Sequence, residues 1–185
     1  MSSRPGVRAE IPVRRVTGDD WGAYREVRLR ALATDPWAFG STLGREEAFT
    51  EAQWRERIER DTPGSPGRTW AGVGPENRFV GTIAAARPDG EFHLFAMWVA
   101  PEQRRQGLGG RLVDAALAWI DSVEPGTSVR LDVNPRGTAA VQLYLSRGFR
   151  ATGATEPLGH TPSETIEAMV RPGSSSAAGK ASPPR

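Results

Sequence analysis

A chain of 185 residues, 38% hydrophobic and 25% charged, is long enough for one domain with a real core and is ordinary in composition for a soluble protein. It has no cysteine, which excludes disulfides, thiolate metal sites and a cysteine nucleophile, and no metal site is read from it. No apolar run approaches about 18 residues and Met1 to Glu10 has no leader-like apolar core, so no membrane association is expected and the cytoplasm is the expected compartment. The formal net charge is +2, the single lysine is Lys180, and acidic residues interleave with the arginines, so no nucleic-acid partner is expected.

Residues 1–10 carry no pattern and 172–185 form a Gly/Ser/Ala/Pro tail; both are expected to be disordered, leaving 11–171 as the domain. Ile11 to Val16 reads as a short strand. Asp19 or Asp20 is placed to cap a helix from Trp21 to about Ala33, with a loose apolar stripe of Trp21, Tyr24, Val27, Leu29 and Leu32. Thr34-Asp35-Pro36 ends it, because proline disfavours helix in the residue before it. Asp35 to Phe49 reads as a loop, and Thr50-Glu51-Ala52-Gln53 as a capping box opening a helix to about Arg60. After a Pro/Gly loop to Arg68, the runs 69–73, 79–86 and 92–99 are separated by turn residues and read as an antiparallel meander. A helix from about Gly107 to Ser122, a strand 129–133, a helix 138–147 closed by Gly148, and strands 149–152 and 165–171 complete the order. The class is mixed α/β around one central sheet, with about four helices.

The segment Val99-Ala100-Pro101-Glu102-Gln103-Arg104-Arg105-Gln106-Gly107-Leu108-Gly109-Gly110-Arg111-Leu112 ends a strand, makes a basic, glycine-rich turn and begins a helix. A helix N-terminus offers unpaired amides and about half a positive charge, which suits a phosphate. Gly107 and Gly109 allow close backbone approach, and the Arg104 and Arg105 forks suit phosphate oxygens. A nucleoside-triphosphate loop needs Gly-Lys-Ser/Thr, which is absent, and a dinucleotide fingerprint needs Gly where Leu112 stands.

Arg104-x-x-Gly107-x-Gly109 after Val99-x-Pro101, followed by Leu143-Tyr144-Leu145-Ser146-Arg147-Gly148-Phe149, resembles the coenzyme A loop and the Leu-Tyr-x-x-x-Gly-Phe segment of the GNAT superfamily of N-acetyltransferases. The resemblance runs over about Ile11 to Arg171 and is strongest from Leu94 to Phe149. It implies a central, mostly antiparallel sheet splayed at an acetyl-CoA site, and direct attack of an amine on the acyl donor. The implied cofactor contacts are Met97, Trp98, Val99, Arg104, Arg105, Gln106, Gly107, Leu108, Gly109, Gly110, Arg111, Asn134 and Tyr144. Family members often carry Asn seven residues before the tyrosine; here that residue is Gly137, with Asn134 and Thr138 as nearby polar substitutes.

The resemblance further implies Tyr144 as general acid and a main-chain amide of the strand Met97–Val99 as oxyanion donor. His93 stands where some relatives place a base, with Glu91 two residues earlier on the same strand face; a water chain is the alternative. His160 lies in a Pro/Gly-rich loop near the C-terminus and reads as a solvated loop residue, with the acceptor cleft as the alternative. Trp37, Phe39, Glu46 and Glu47 lie in the loop where this family varies to fit its acceptor, and acidic plus aromatic residues suit a cationic amine, although Trp37, Phe39 and Phe49 also read as packing under the loop. A small-molecule primary amine is the expected acceptor. A protein or peptide N-terminus, or a sensor that binds acyl-CoA without turnover, are the alternatives. Many relatives pair, which makes a homodimer an expectation too.

Overall fold

The computed structural model describes residues 10–59 and 66–173. The expected disordered ends therefore lie outside the described residues, apart from Glu10, Pro172 and Gly173, as does most of the Pro/Gly loop before Arg68. The strands are β1 (Val13–Arg15), β2 (Gly67–Val73), β3 (Phe79–Ala86), β4 (Phe92–Val99), β5 (Val129–Val133), β6 (Arg150–Leu158) and β7 (Thr161–Arg171). They form one sheet in the order β1-β2-β3-β4-β5-β7-β6, antiparallel except for β4 beside β5. The helices are α1 (Trp21–Thr34), α2 (Leu43–Glu47), α3 (Glu51–Ile58), α4 (Leu108–Val123) and α5 (Thr138–Leu145).

Helix α4 covers one face of the sheet. Leu108, Leu112, Val113, Ala116, Leu117, Trp119 and Ile120 recur at helical spacing and are all buried. Trp119 packs on Trp70 and Phe92, with ring centroids 5.5 and 5.8 Å away. Bare positions in the sheet let the start of this helix sit down on it. A Cβ at Gly72 would lie 2.7 Å from Leu108 Cδ1, and one at Gly81 would lie 3.2 Å from both Leu108 and Leu112. Leu108 is thereby anchored, and the first turn of α4 is held at the end of β4.

Helix α1 covers the other face through Tyr24, Val27, Arg28, Ala31 and Leu32. Arg28, rather than Leu29, takes the inward place, because Glu46 neutralises it there. Arg28 Nε and Nη2 donate to Glu46 at 2.9 and 2.8 Å, and Arg57 Nη2 reaches the same carboxylate at 3.1 Å. This pairing also explains α2, a helix within the segment read as a loop. Thr42 caps it, accepting from Arg45 N at 3.3 Å, and Glu46 is drawn fully into the interior. The capping box at Thr50 and Gln53 forms as expected. Asp20, of the two expected candidates, is the N-cap residue of α1, but its carboxylate makes no capping bond and accepts from Arg14 and from Thr17 N.

Burial alone would raise the Glu46 carboxyl pKa; the hydrogen bonds and charges of Arg28 and Arg57 outweigh it and hold the group below the usual range. Replacing Glu46 with Gln leaves a buried guanidinium short of its counter-ion, at an expected cost of about 3–5 kcal/mol in unfolding free energy. A lowered folded-state pKa gives stability that is present above the unfolded value, near ~4.3, and is lost as pH falls through the folded value. The gap in Tm between wild type and Glu46→Gln should therefore narrow in acid, which thermal melts across pH 3–7 will read.

Candidate active site

The parallel neighbours β4 and β5 pair over only Phe92↔Val129, His93↔Arg130 and Leu94↔Leu131. Beyond Leu94 they part. β4 carries a bulge at Ala96, whose φ is +53°, and then continues against β3 through Trp98↔Thr82 and Val99↔Gly81. β5 stays with β7 through Asp132↔Ala168 and Val133↔Glu167. A wedge opens between them. Ala100 N donates to Val80 O at 2.9 Å, so strand alternation turns the main-chain groups of Met97 and Val99 toward that wedge.

The first turn of α4 stands at the mouth of the wedge. Gly107 is its N-cap at φ +77°, a conformation that suits glycine, and it supplies no capping side chain. Among the described residues the amides of residues 105–110 donate to no protein acceptor. The side chains around them divide differently from expectation. Arg105 is exposed and its guanidinium pairs with nothing among the described residues. Arg104 turns back instead, its Nε donating to Val99 O at 2.9 Å and its Nη2 to Asp35. Arg111 binds Ile11 O and lies 3.2 Å from Glu10, while Gln106 Nε2 donates to Glu102 O at 2.9 Å. A Cβ at Gly109 would face Met97 Cε at 3.2 Å and Leu143 Cδ2 at 3.3 Å, and one at Gly110 would strike Arg147. These two glycines allow close packing of α4 on β4 and α5, whereas an anion would be approached by the amides themselves.

Tyr144 lies on α5, 5% exposed, with its ring edge-on to Phe149 at 5.7 Å. Gly148, at φ +84°, ends the helix and lets Phe149 N return to Tyr144 O at 3.1 Å, which fixes the tyrosine main chain. The hydroxyl makes no hydrogen bond among the described residues, and its oxygen keeps some solvent-accessible surface. Burial raises its pKa well above that of free tyrosine, so the phenol keeps its proton. Arg147 joins α5 to α4 through Asp114 at 2.8 and 3.2 Å.

His93 lies on β4 and Glu91 immediately precedes the strand, with His93 Nε2 3.8 Å from Glu91 Oε2, too long for a direct hydrogen bond. Both are partly exposed, and His93 stands in the last paired stretch before the strands part.

On the acceptor side the structure separates the expected residues. Glu46 and Phe39 are interior: Glu46 belongs to the Arg28 pair, and Phe39 lies 4.5 Å under the Arg28 guanidinium. Glu47 is exposed and lines no described cavity. Trp37 does line one, of about 430 Å³, together with Leu32, Pro36, Thr42, Leu43, Arg136, His160, Thr161 and Glu164. Asn134, expected to touch the cofactor, is spent on this wall. Its Nδ2 donates to Trp37 O at 3.1 Å and to Glu164 at 2.7 Å, and its Oδ1 accepts from Arg136 N at 3.0 Å. Its hydrogen-bonding capacity is directed into the protein, so the cofactor role does not fit. Gly137 also finds its reason here: a Cβ would lie 3.3 Å from the Trp37 ring, which fills that space. Arg136 and Glu164 were not read from the sequence; a β-hairpin of β6 and β7 brings Glu164 and His160 to the cavity from a segment that reads as loop.

Residues 21–149 match the model of the acetyltransferase (GNAT) family, and the chain belongs to that family. Over 105 residues it is 32% identical to the peptidyl-lysine N-acetyltransferase YjaB of Salmonella typhimurium, a stretch covering 57% of this chain and 64% of that relative, so the chain spans just under two thirds of the relative's length. Its fold is similar to that of an acetyltransferase of the GNAT family from Streptococcus pneumoniae, at 19% identity and a TM-score of 0.72 over 88% of this chain and 99% of that one. It is likewise similar to yncA of Salmonella typhimurium, solved with its cofactor acetyl-CoA, at 16% identity and a TM-score of 0.68 over 94% and 100%. Among the described residues no helix is long and apolar enough to cross a membrane.

Proposed function

We propose that this chain is an acetyl-CoA-dependent N-acetyltransferase acting on the primary amine of a small molecule. The amides of residues 105–110, which donate to no protein acceptor, beside a wedge between β4 and β5, carry the reading. They fit a pyrophosphate: several donors converge at a helix N-terminus, and Arg105 adds an unpaired charge. The Met97 main chain and the Val99 amide fit an extended amide-bearing arm, which would pair with them as a further strand does, while the Val99 carbonyl is held by Arg104 Nε. Acetyl-CoA supplies an activated acyl group on a good leaving thiol.

The residues of this chain then divide the remaining work. The Met97 amide is the candidate oxyanion donor. Tyr144, kept protonated by burial, holds the proton for the departing sulfur. His93, with Glu91 beside it, is the base; it lies four residues from Met97, about 13 Å along an extended strand, so the amine proton reaches it through water. The cavity of about 430 Å³ beside Trp37 has the size of a small-molecule site. A lysine side chain is the second reading, favoured by the similarity to a peptidyl-lysine acetyltransferase.

Thiol release from acetyl-CoA, measured against small amines and lysine peptides, tests the proposal. Turnover with small amines is expected. Tight acetyl-CoA binding without thiol release in any mixture would replace the enzyme with a sensor. The His93→Ala variant should lower kcat/KM about 10–100-fold at pH 7, and Glu91→Gln should do so more weakly.

A further inference from the structure

The cavity beside Trp37 has a wall of one character and a rim of another. Leu32, Pro36, Trp37 and Leu43 make the wall, all apolar. The lining carboxylate is Glu164, and it is already spent. Its Oε2 accepts from Asn134 at 2.7 Å and its Oε1 from Arg136 at 2.9 Å, and these bonds hold it ionised with a lowered pKa. Asp35, next along the chain from Pro36, accepts from Trp98 Nε1 at 2.7 Å and from Arg104. Glu46 is enclosed by Arg28 and Arg57. Each carboxylate in or directly behind this side of the site thus has an arginine of its own.

The Arg136 guanidinium also lies 5.3 Å over the Trp37 ring, so the aromatic face that would attract a second cation is covered by a resident one. Trp37 in turn packs against Gly137, the N-cap of α5, which makes the cavity wall continuous with the helix that carries Tyr144.

We infer that the acceptor is an amphipathic monoamine, with one amino group and an apolar or aromatic body that lies against Trp37 and Leu43. This rests on the acetyltransferase reading above and narrows its acceptor. A polyamine or a basic peptide brings several positive charges, each needing a counter-ion that the cavity does not offer and each repelled by Arg136. An apolar body loses water on a wall that holds no unpaired charge.

The test compares 2-phenylethylamine, spermidine and a lysine-containing peptide as acceptors for the full chain, with acetyl-CoA affinity measured separately by calorimetry. The expected kcat/KM favours 2-phenylethylamine by about tenfold or more. Trp37→Ala should cut that value by about 10–100-fold with acetyl-CoA affinity unchanged. Leu43→Glu, which places a free carboxylate in the wall, should move the preference toward spermidine. Preference of the wild type for spermidine or the peptide overturns the inference and leaves the acetyltransferase intact, as do Trp37→Ala kinetics equal to wild type. Absence of both acetyl-CoA binding and turnover overturns the underlying reading as well.

Discussion

Gly109→Asp should weaken acetyl-CoA binding by about 100-fold or more, close to 2.7 kcal/mol. The new Cβ would sit 3.2–3.3 Å from the ends of Met97 and Leu143 and 3.7 Å from Val99, an apolar seam with no partner for a carboxylate. The charged end must therefore swing out of the seam, and the nearest donors are the open amides at the start of α4. A negative charge in the first helical turn is favourable to the helix itself. The fold should survive while the anion site is filled from within. Gly109→Ala is the control. Its contacts are the tips of flexible side chains that need yield only a few tenths of an ångström, so its affinity should stay within about threefold of wild type. Calorimetric titration with acetyl-CoA, alongside circular dichroism of both variants, reads the difference. Unchanged affinity in Gly109→Asp would mean that these amides are not where the pyrophosphate binds.

Elements whose buried faces repeat regularly were legible in the sequence. The helix expected from Gly107 to Ser122 spans Leu108–Val123, and the strand expected at 129–133 has those bounds, because both present a continuous apolar face to the core. The sequence pattern predicts a strand that ends at Thr152, whereas β6 runs to Leu158. Its residues 150–157 are all exposed, and a strand with no buried face shows no alternation to read. The glycine loop was legible for the same local reason as α4: strand end, proline, glycines and helix start are contiguous. The acceptor side was not. Glu46 reads as a free acid until Arg28, 18 residues earlier, is seen to claim it. Gly137 reads as a missing polar contact until Trp37, one hundred residues away in the chain, is found in the space its side chain would take. Asn134 and Glu164 are likewise joined only by the fold. Residues whose role depends on a distant partner carry no local pattern, and in this protein they cluster where the acceptor is proposed to bind.

Tyr144→Phe separates chemistry from structure with little ambiguity. The hydroxyl has no protein partner, so its removal breaks no hydrogen bond, and the ring contact with Phe149 at 5.7 Å is kept. Stability and acetyl-CoA affinity should stay near wild type, because the hydroxyl makes no bond within the protein that its removal would break. Turnover should fall by about 100-fold, the lower part of the range for a lost general acid. The pH dependence gives a second reading. Burial lifts the phenol pKa above its ordinary value near ~10, so Tyr144 remains protonated across the working range and contributes no loss of activity as pH rises toward 10. The wild-type and Tyr144→Phe profiles should therefore run parallel, separated by a constant factor, with the acid limb in both set by the base and the amine. A buried phenol is also a weaker acid than a free one, so it gives up its proton only as negative charge accumulates on the departing sulfur. Replacing acetyl-CoA with an acyl donor whose leaving thiol has a lower pKa should accordingly shrink the penalty of the mutation. A penalty that does not depend on the leaving thiol would move the proton donor away from Tyr144 and leave this side chain a packing role beside Phe149.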